Sequence, residues 1–283
     1  AALAGFLLTA VPNWTGRLPA CGRPLLFLVL LWGAGRLVML QPDLIGVWPA
    51  ALVDAAFLLA LAAIVAREII TGSNWKNLKV LAGVTLLAAL NLWCHMAALT
   101  GLDTQLPLRL ATGVYVLLVA IVGGRIIPSF TRNYLSRRGA TRLPAPFGRF
   151  DVAAIVALGL GLICWSILPD WPPVALLALL AAALNAIRVW RWRGVTTFEE
   201  PLVLVLHLAY AFVPFGLVAM ALAALGWIAI ASALHVLTVG IIGLMTLAVM
   251  TRATRGHTGR PLIASPMTTL SYLLLLLAAV LRP

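Results

Sequence analysis

Four histidines, His95, His207, His235 and His257, are the side chains here best suited to redox and proton chemistry. A neutral imidazole is the commonest metal ligand, serves haem iron and copper alike, and exchanges protons near neutral pH. His95 stands in "NLWCHMAAL" (91–99), a run of amide, indole, thiol, imidazole and thioether within an apolar stretch. On a helix, consecutive side chains point in different directions, so Cys94, His95 and Met96 do not all grip one metal. Asn91 and His95, spaced i and i+4, share a polar face. The two sulfurs suit Cu(I) where they turn inward, and both residue types also serve as ordinary core filling. His95 is therefore a metal-ligand candidate and the sulfurs are bystanders.

His235 opens "HVLTVGIIGLMT" and heads a face that continues through Thr238, Gly243 and Thr246 at helical spacing. Such a small, hydroxylated stripe lets a flat, bulky group lie against the backbone. The alternative is a simple interhelical hydrogen bond from His235, worth ~1 kcal/mol. His207 begins "HLAYAFVPFG", in which Pro214 kinks a helix. It is a candidate ligand for a second site, or a partner for carbonyls that the kink releases. His257, in "TRGHTGRP", reads as a solvated loop histidine.

Three further ionisable residues, Arg36, Asp54 and Arg109, fall inside apolar segments. Each such group costs ~2.5–3.5 kcal/mol at bilayer depth and faces a bundle interior with a partner. The arginines match carboxylates in a bidentate fork. They either pair with Asp54 to lock helix packing, with the long stems reaching back to the surface, or serve a functional site in the bundle.

These side chains must be held by membrane helices. The 283 residues are 63% hydrophobic and only 10% charged, with a mean hydropathy of +1.07, more apolar surface than a soluble domain hides. The formal charge of +12 does not indicate nucleic acid, because the basic residues recur between apolar segments instead of forming one face. Cys21, Cys94 and Cys164 make no C-x-x-C pair and no haem-attachment motif, so a disulfide framework is not expected. There is no P-loop, no H-E-x-x-H and no nucleophile elbow; Gly33–Gly35, Gly123–Gly124 and Gly240–Gly243 suit close helix packing.

A spanning helix needs ~20 mostly apolar residues. Ten segments are expected: a partial one at 1–11, then 25–40, 50–70, 78–99, 108–127, 152–168, 174–190, 202–225, 227–250 and 262–281. Alternate connections hold 17 of the 20 basic residues, from Arg17 and Arg23 to Arg252, Arg255 and Arg260, whereas the others hold none and contain Asp43, Asp103 and Asp170. This alternation is the positive-inside pattern, placing the basic connections in the cytoplasm and the start of the chain and Arg282 outside. The segment "FTRNYLSRRGATR" (130–142) is a topology signal, with anionic lipid head groups as a secondary reading. "NWT" (13–15) matches a glycosylation sequon on an inner connection and carries no meaning there. On these helices His95 lies ~7 Å and His235 ~12 Å from the outer end at 1.5 Å per residue. Arg36, Asp54 and Arg109 fall at similar depth, so five helices each contribute to one outer polar layer. The fold expected is an all-α, polytopic membrane bundle forming a single domain over residues 1–283. The chain opens at Ala1 inside an apolar run, which reads as the second half of a helix.

Five stretches carry a family resemblance: "GFLLTAVPNWTG" (5–16), "NLWCHMAAL", "GGRIIPSFTRNY" (123–134), "HLAYAFVPFG" (207–216) and "LHVLTVGIIGLMTLAVMTRATRGHTGRPL" (234–262). The chain resembles the NnrS family of bacterial inner-membrane proteins. The resemblance implies a twelve-helix protein that binds haem, of b type, and copper, and is associated with denitrification and tolerance of nitric oxide or nitrosative stress. His95, His207, His235 and His257 all lie in the matching stretches, and the resemblance does not say which holds which metal. The family also has a further helix at each end and an H-x-H-E-M stretch before the helix that begins at Ala1, so the chain reads as a fragment. The function expected is a haem- and copper-binding membrane protein of nitric oxide metabolism, with His95, His235 and His207 as metal ligands and Arg36 and Arg109 as haem-propionate partners. Its surroundings are membrane lipid and its small ligand nitric oxide. The competing expectation is a transporter whose polar path is lined by Arg36, Asp54, Arg109 and the buried histidines.

Overall fold

The computed structural model describes residues 2–16 and 20–281; Arg17 and Arg282 lie outside them, as do the side chains of the 13–15 sequon. Among the described residues there is no strand. The helices are α1 (Ala2–Thr15), α2 (Arg23–Val38), α3 (Val47–Thr71), α4 (Leu78–Thr100), α5 (Gln105–Arg137), α6 (Arg149–Ile167), α7 (Pro172–Arg191), α8 (Pro201–Ala224), α9 (Ile230–His235), α10 (Leu244–His257) and α11 (Pro266–Leu281). A π-helical stretch, Val236–Gly243, joins α9 to α10 in one rod. Each of the ten expected segments thus becomes one rod among the described residues.

Seven of these rods are long and apolar enough to cross a membrane, and α11 and the apolar part of α1 are shorter. Their surfaces are apolar on both sides. On α6, Val152, Val156, Leu160, Ile163 and Ile167 are exposed while Ala154, Leu158, Leu162 and Trp165 are buried. A helix apolar all round belongs in lipid, where tails replace water on its outer face. The protein is a polytopic helical membrane protein.

The helix ends differ from the sequence expectation where charge stood in for a boundary. α5 runs ten residues past Ile127 to Arg137 and includes Pro128, so the connection expected to span about twenty residues is much shorter. Lys79 lies in the first turn of α4, and His257 is the exposed last residue of α10, not part of a loop. Charged side chains tolerate helical backbone at the membrane surface because their long stems reach the interface.

By its internal contacts the chain forms two compact units, residues 1–114 and 115–283, with the boundary inside α5. In the first, α3 packs on α1, α2 and α4. Gly35 of α2 brings that helix close to α3: a Cβ there would sit 3.2 Å from the Asp54 Cα. Gly33, by contrast, faces open space.

In the second unit α8 is the central helix, packed on α7, α9, the π-helical stretch and α10. A buried polar knot ties its neighbours together. Asp151, at the start of α6, accepts from the Gly148 N–H at 3.0 Å, which caps the helix, and from Arg188 Nε at 3.0 Å. Arg188 was expected in a cytoplasmic connection, but it lies inside α7 with no exposure, beside an Asp151 side chain only 5% exposed. Its Nη1 donates to the Tyr210 hydroxyl of α8 and to the Ala120 carbonyl of α5 at 3.4 Å. The guanidinium lies 5.1 Å from the Trp192 ring centroid and fills the space that a Cβ at Gly124 would take. Gly124 thus admits a side chain, not a neighbouring helix. Asn185, one turn before Arg188, donates to the Ala154 carbonyl of α6 at 3.1 Å. A buried charge is tolerated only when it is paired in this way, and of the Arg188 guanidinium only the buried Nη2 has no hydrogen-bond partner among the described residues.

Asp151→Asn is expected to destabilise the second unit by about 3–5 kcal/mol, because it strands the Arg188 charge. Replacing both charges together with apolar residues is expected to recover much of that loss. Thermal unfolding of the detergent-solubilised protein checks both, and an unchanged midpoint in Asp151→Asn would contradict the arrangement.

Candidate functional site: a buried aspartate between three helices

Asp54 sits in the second turn of α3, with a side chain only 8% exposed. Helix α3 is otherwise alanine, leucine, valine and phenylalanine at this level, so the carboxylate depends on its neighbours for donors. Arg36, in the last turn of α2, places its guanidinium on Oδ1. From α4, Asn91 Nδ2 donates to Oδ2 at 3.1 Å, and His95 Nε2 meets the same oxygen at 3.0 Å. The i, i+4 pair expected from "NLWCHMAAL" is therefore formed, and its target is Asp54. Next to a carboxylate, His95 Nε2 carries the proton and donates it, which leaves Nδ1 as the basic ring nitrogen. Asn91 Oδ1 is buried and has no hydrogen-bond partner among the described residues.

The two sulfurs flanking His95 point elsewhere: Met96 is 46% exposed and Cys94 is half-buried. Arg36 itself is 55% exposed, the geometry of a stem packed on the helix with its head at the rim. Arg109 lies in the second turn of α5, half-buried, and belongs to the same unit as Asp54.

The other candidate ligands belong to the second unit. His235 donates from Nε2 to the Ala278 carbonyl of α11 at 3.0 Å, the interhelical bond weighed as its alternative role. The stripe expected through Thr238, Gly243 and Thr246 is not formed. The π-helical turn after His235 is wider than an α turn, so α periodicity no longer aligns these residues. Thr238 bonds back to Leu234, and Gly240 packs against the Phe212 ring. His207 is 4% exposed and bonds the Thr131 hydroxyl of α5 at 2.7 Å, not a carbonyl released by Pro214. His207 lies near the start of α8, whereas His235 follows the turn at the far end of that helix. The chain turns back along α8, with Leu237 against Gly216 and Gly240 against Phe212. About 11 residues of helix therefore separate their levels, or ~17 Å at 1.5 Å per residue, and these two imidazoles do not meet at one iron.

Among the described residues no three His, Cys, Asp or Glu side chains come together in a metal-holding group. What the first unit does contain is one imidazole fixed by a buried carboxylate. That arrangement orients a metal-ligating histidine and raises its basicity. The residue that sequence reasoning undervalued is Asp54, read as one member of a layer when it is the acceptor around which the others gather. The spacing of Asn91 and His95 was the available signal; their partner 37 to 41 residues earlier was not marked by any motif.

Asp54→Ala is expected to cost about 1–3 kcal/mol by leaving buried donors without an acceptor. Arg36→Gln is expected to cost less than about 1 kcal/mol, since half-exposed ion pairs contribute little. Denaturation midpoints of the two variants should fall in that order, and the reverse order would remove Asp54 from the centre of the cluster.

Nothing among curated proteins and nothing among solved structures matches the chain. A family model described as "NnrS protein" matches residues 1–283, its whole length. Together with the membrane helices, that match carries the conclusion: the chain belongs to the NnrS family.

Proposed function

We propose that this protein is a haem-binding membrane protein of nitric oxide metabolism or of protection against nitrosative stress, and that His95 is a haem ligand in its first unit. Family membership supports the link to nitric oxide. The observation that supports the site is the contact of His95 Nε2 with the buried Asp54 carboxylate. It holds the ring in one tautomer, with Nδ1 left for iron. The other three histidines lie in the second unit, so the first unit offers an iron a single protein imidazole. A haem bound there would supply an open coordination position at which nitric oxide binds. Arg36, at the rim of the cluster, keeps N–H groups for a propionate, and Arg109 is the second arginine of that unit suited to the role. The fit is to haem; the described residues bring together no set suited to copper, and no copper-dependent step is assigned.

We place the protein in the bacterial inner membrane with its basic helix ends in the cytoplasm. The support is the gathering of Arg and Lys at the end of α3, the start of α4, the end of α5, the start of α6 and the ends of α7 and α10.

The test is a reduced-minus-oxidised absorption spectrum of the purified protein, with metal analysis on the same sample. A Soret band is expected that His95→Ala abolishes and that His235→Ala and His207→Ala retain. Asp54→Asn is expected to keep some haem with about 10- to 100-fold weaker binding, the usual cost of losing a carboxylate behind a ligand. A band that survives His95→Ala would overturn the assignment. A protein without haem or metal would turn the same cluster into a polar path and favour transport, with Arg36, Asp54, Arg109 and His95 as its lining.

A further inference from the structure

A second polar feature lies in the other unit, where α7 turns into α8. Arg193 takes φ +60° and ψ +36° there, a left-handed conformation uncommon for a residue with a Cβ. The turn borders a cavity of about 590 Å³ lined by Arg191, Arg193, Phe198, Leu204, His207 and Leu208, among others. Arg193 Nε is buried without a hydrogen-bond partner among the described residues. Arg191 is partly committed, 3.8 Å from Asp151 and over the Phe150 ring. The carboxylate of Glu199 is engaged by Arg138. Arg193 is therefore the cation of this cavity that lacks an anion.

His207 adds a complementary group. Thr131 has a single hydroxyl hydrogen, which it donates to the Ile127 carbonyl at 2.9 Å. Its oxygen accordingly accepts from His207 Nε2 at 2.7 Å, so Nε2 carries the ring proton and Nδ1 is a bare acceptor. That nitrogen is buried and has no partner among the described residues. It lies under Gly194, where a Cβ would come within 2.6 Å of it. A buried acceptor without a donor costs about 1–3 kcal/mol, so its place in a cavity wall calls for a ligand.

An occupant that answers every group needs an anion for Arg193, a hydroxyl for Nδ1 and a hydrocarbon body for Phe198, Leu204 and Leu208. A soluble anion leaves the apolar wall of Phe198, Leu204 and Leu208 uncovered. We propose that this cavity binds an anionic phospholipid with a hydroxyl-bearing head group. Its phosphodiester rests on Arg193, with Arg191 beside it, a head-group hydroxyl donates to His207 Nδ1, and an acyl chain follows the apolar wall. The position suits this occupant, since basic pockets at the ends of membrane helices collect anionic head groups. The site is independent of the His95 centre.

The test uses the full chain in detergent, with native mass spectrometry and thermal midpoints as readouts. The probes are phosphatidylglycerol, phosphatidylcholine, phosphatidylmethanol (anionic but without a head-group hydroxyl) and inorganic phosphate. Phosphatidylglycerol is expected to bind about fivefold more tightly than phosphatidylcholine, the effect of one basic side chain on an anionic lipid. Phosphatidylmethanol is expected to bind about threefold more weakly than phosphatidylglycerol, for want of one hydrogen bond. Arg193→Gln should erase the preference for phosphatidylglycerol over phosphatidylcholine; Arg138→Gln, outside the cavity, should leave the preference intact. Equal binding of phosphatidylglycerol and phosphatidylcholine, a preference that survives Arg193→Gln, or displacement of the lipid by inorganic phosphate would each overturn the proposal. Equal binding of phosphatidylglycerol and phosphatidylmethanol would overturn the role of His207.

Discussion

Removing a charge from water is costly unless the protein replaces the interactions the water made, and within lipid no bulk water remains to supply them. Asp151 and Arg188 largely meet that condition in the second unit, where Arg188 Nη2 alone of the guanidinium nitrogens has no hydrogen-bond partner among the described residues. The carboxylate caps α6 and holds the guanidinium, which reaches α5 and α8 in turn. Four helices are thereby fixed at one level. The surrounding packing follows from that level: Arg188 fills the space beside Gly124, and Trp192 meets Tyr210 edge to face with ring centroids 4.6 Å apart.

Asp54 follows the same rule with a different result. It too is buried and receives donors from two other helices, but the cluster is less closed. Arg36 reaches the surface, and Asn91 Oδ1 lacks a donor. A polar centre whose cation is half exposed has capacity for a ligand. The Arg188 knot, with its charge wholly enclosed, serves the fold. Both centres combine arginine, aspartate and an aromatic or imidazole partner, and their different roles come from the degree of closure.

His207 and His235 show how an imidazole is absorbed into helix packing. His235 closes the rod that contains the π-helical stretch onto α11 through one carbonyl. His207 is tied to α5 through Thr131, and only its second nitrogen is left over. Each bond uses Nε2, so the outer end of the ring, which reaches furthest from its own helix, is already occupied.

Much of this architecture was legible in the residues alone. The apolar segments gave ten rods because backbone N–H and C=O groups must pair within a segment in lipid. The Asn91–His95 face followed from 3.6-residue periodicity, which is local. Partners across helices were beyond that reach. Arg188 had the same composition and spacing as the arginines around it, and only the arrival of Asp151, Tyr210 and the Ala120 carbonyl decided that it would be buried. The π-helical stretch after His235 broke a stripe counted on α periodicity, and it lies where Gly240 packs against Phe212 of α8. Sequence determined the helices and the local faces of their polar residues, because both are set by short-range backbone physics in a membrane. Tertiary structure decided which of those residues meet, because that depends on the contacts between helices far apart in the chain.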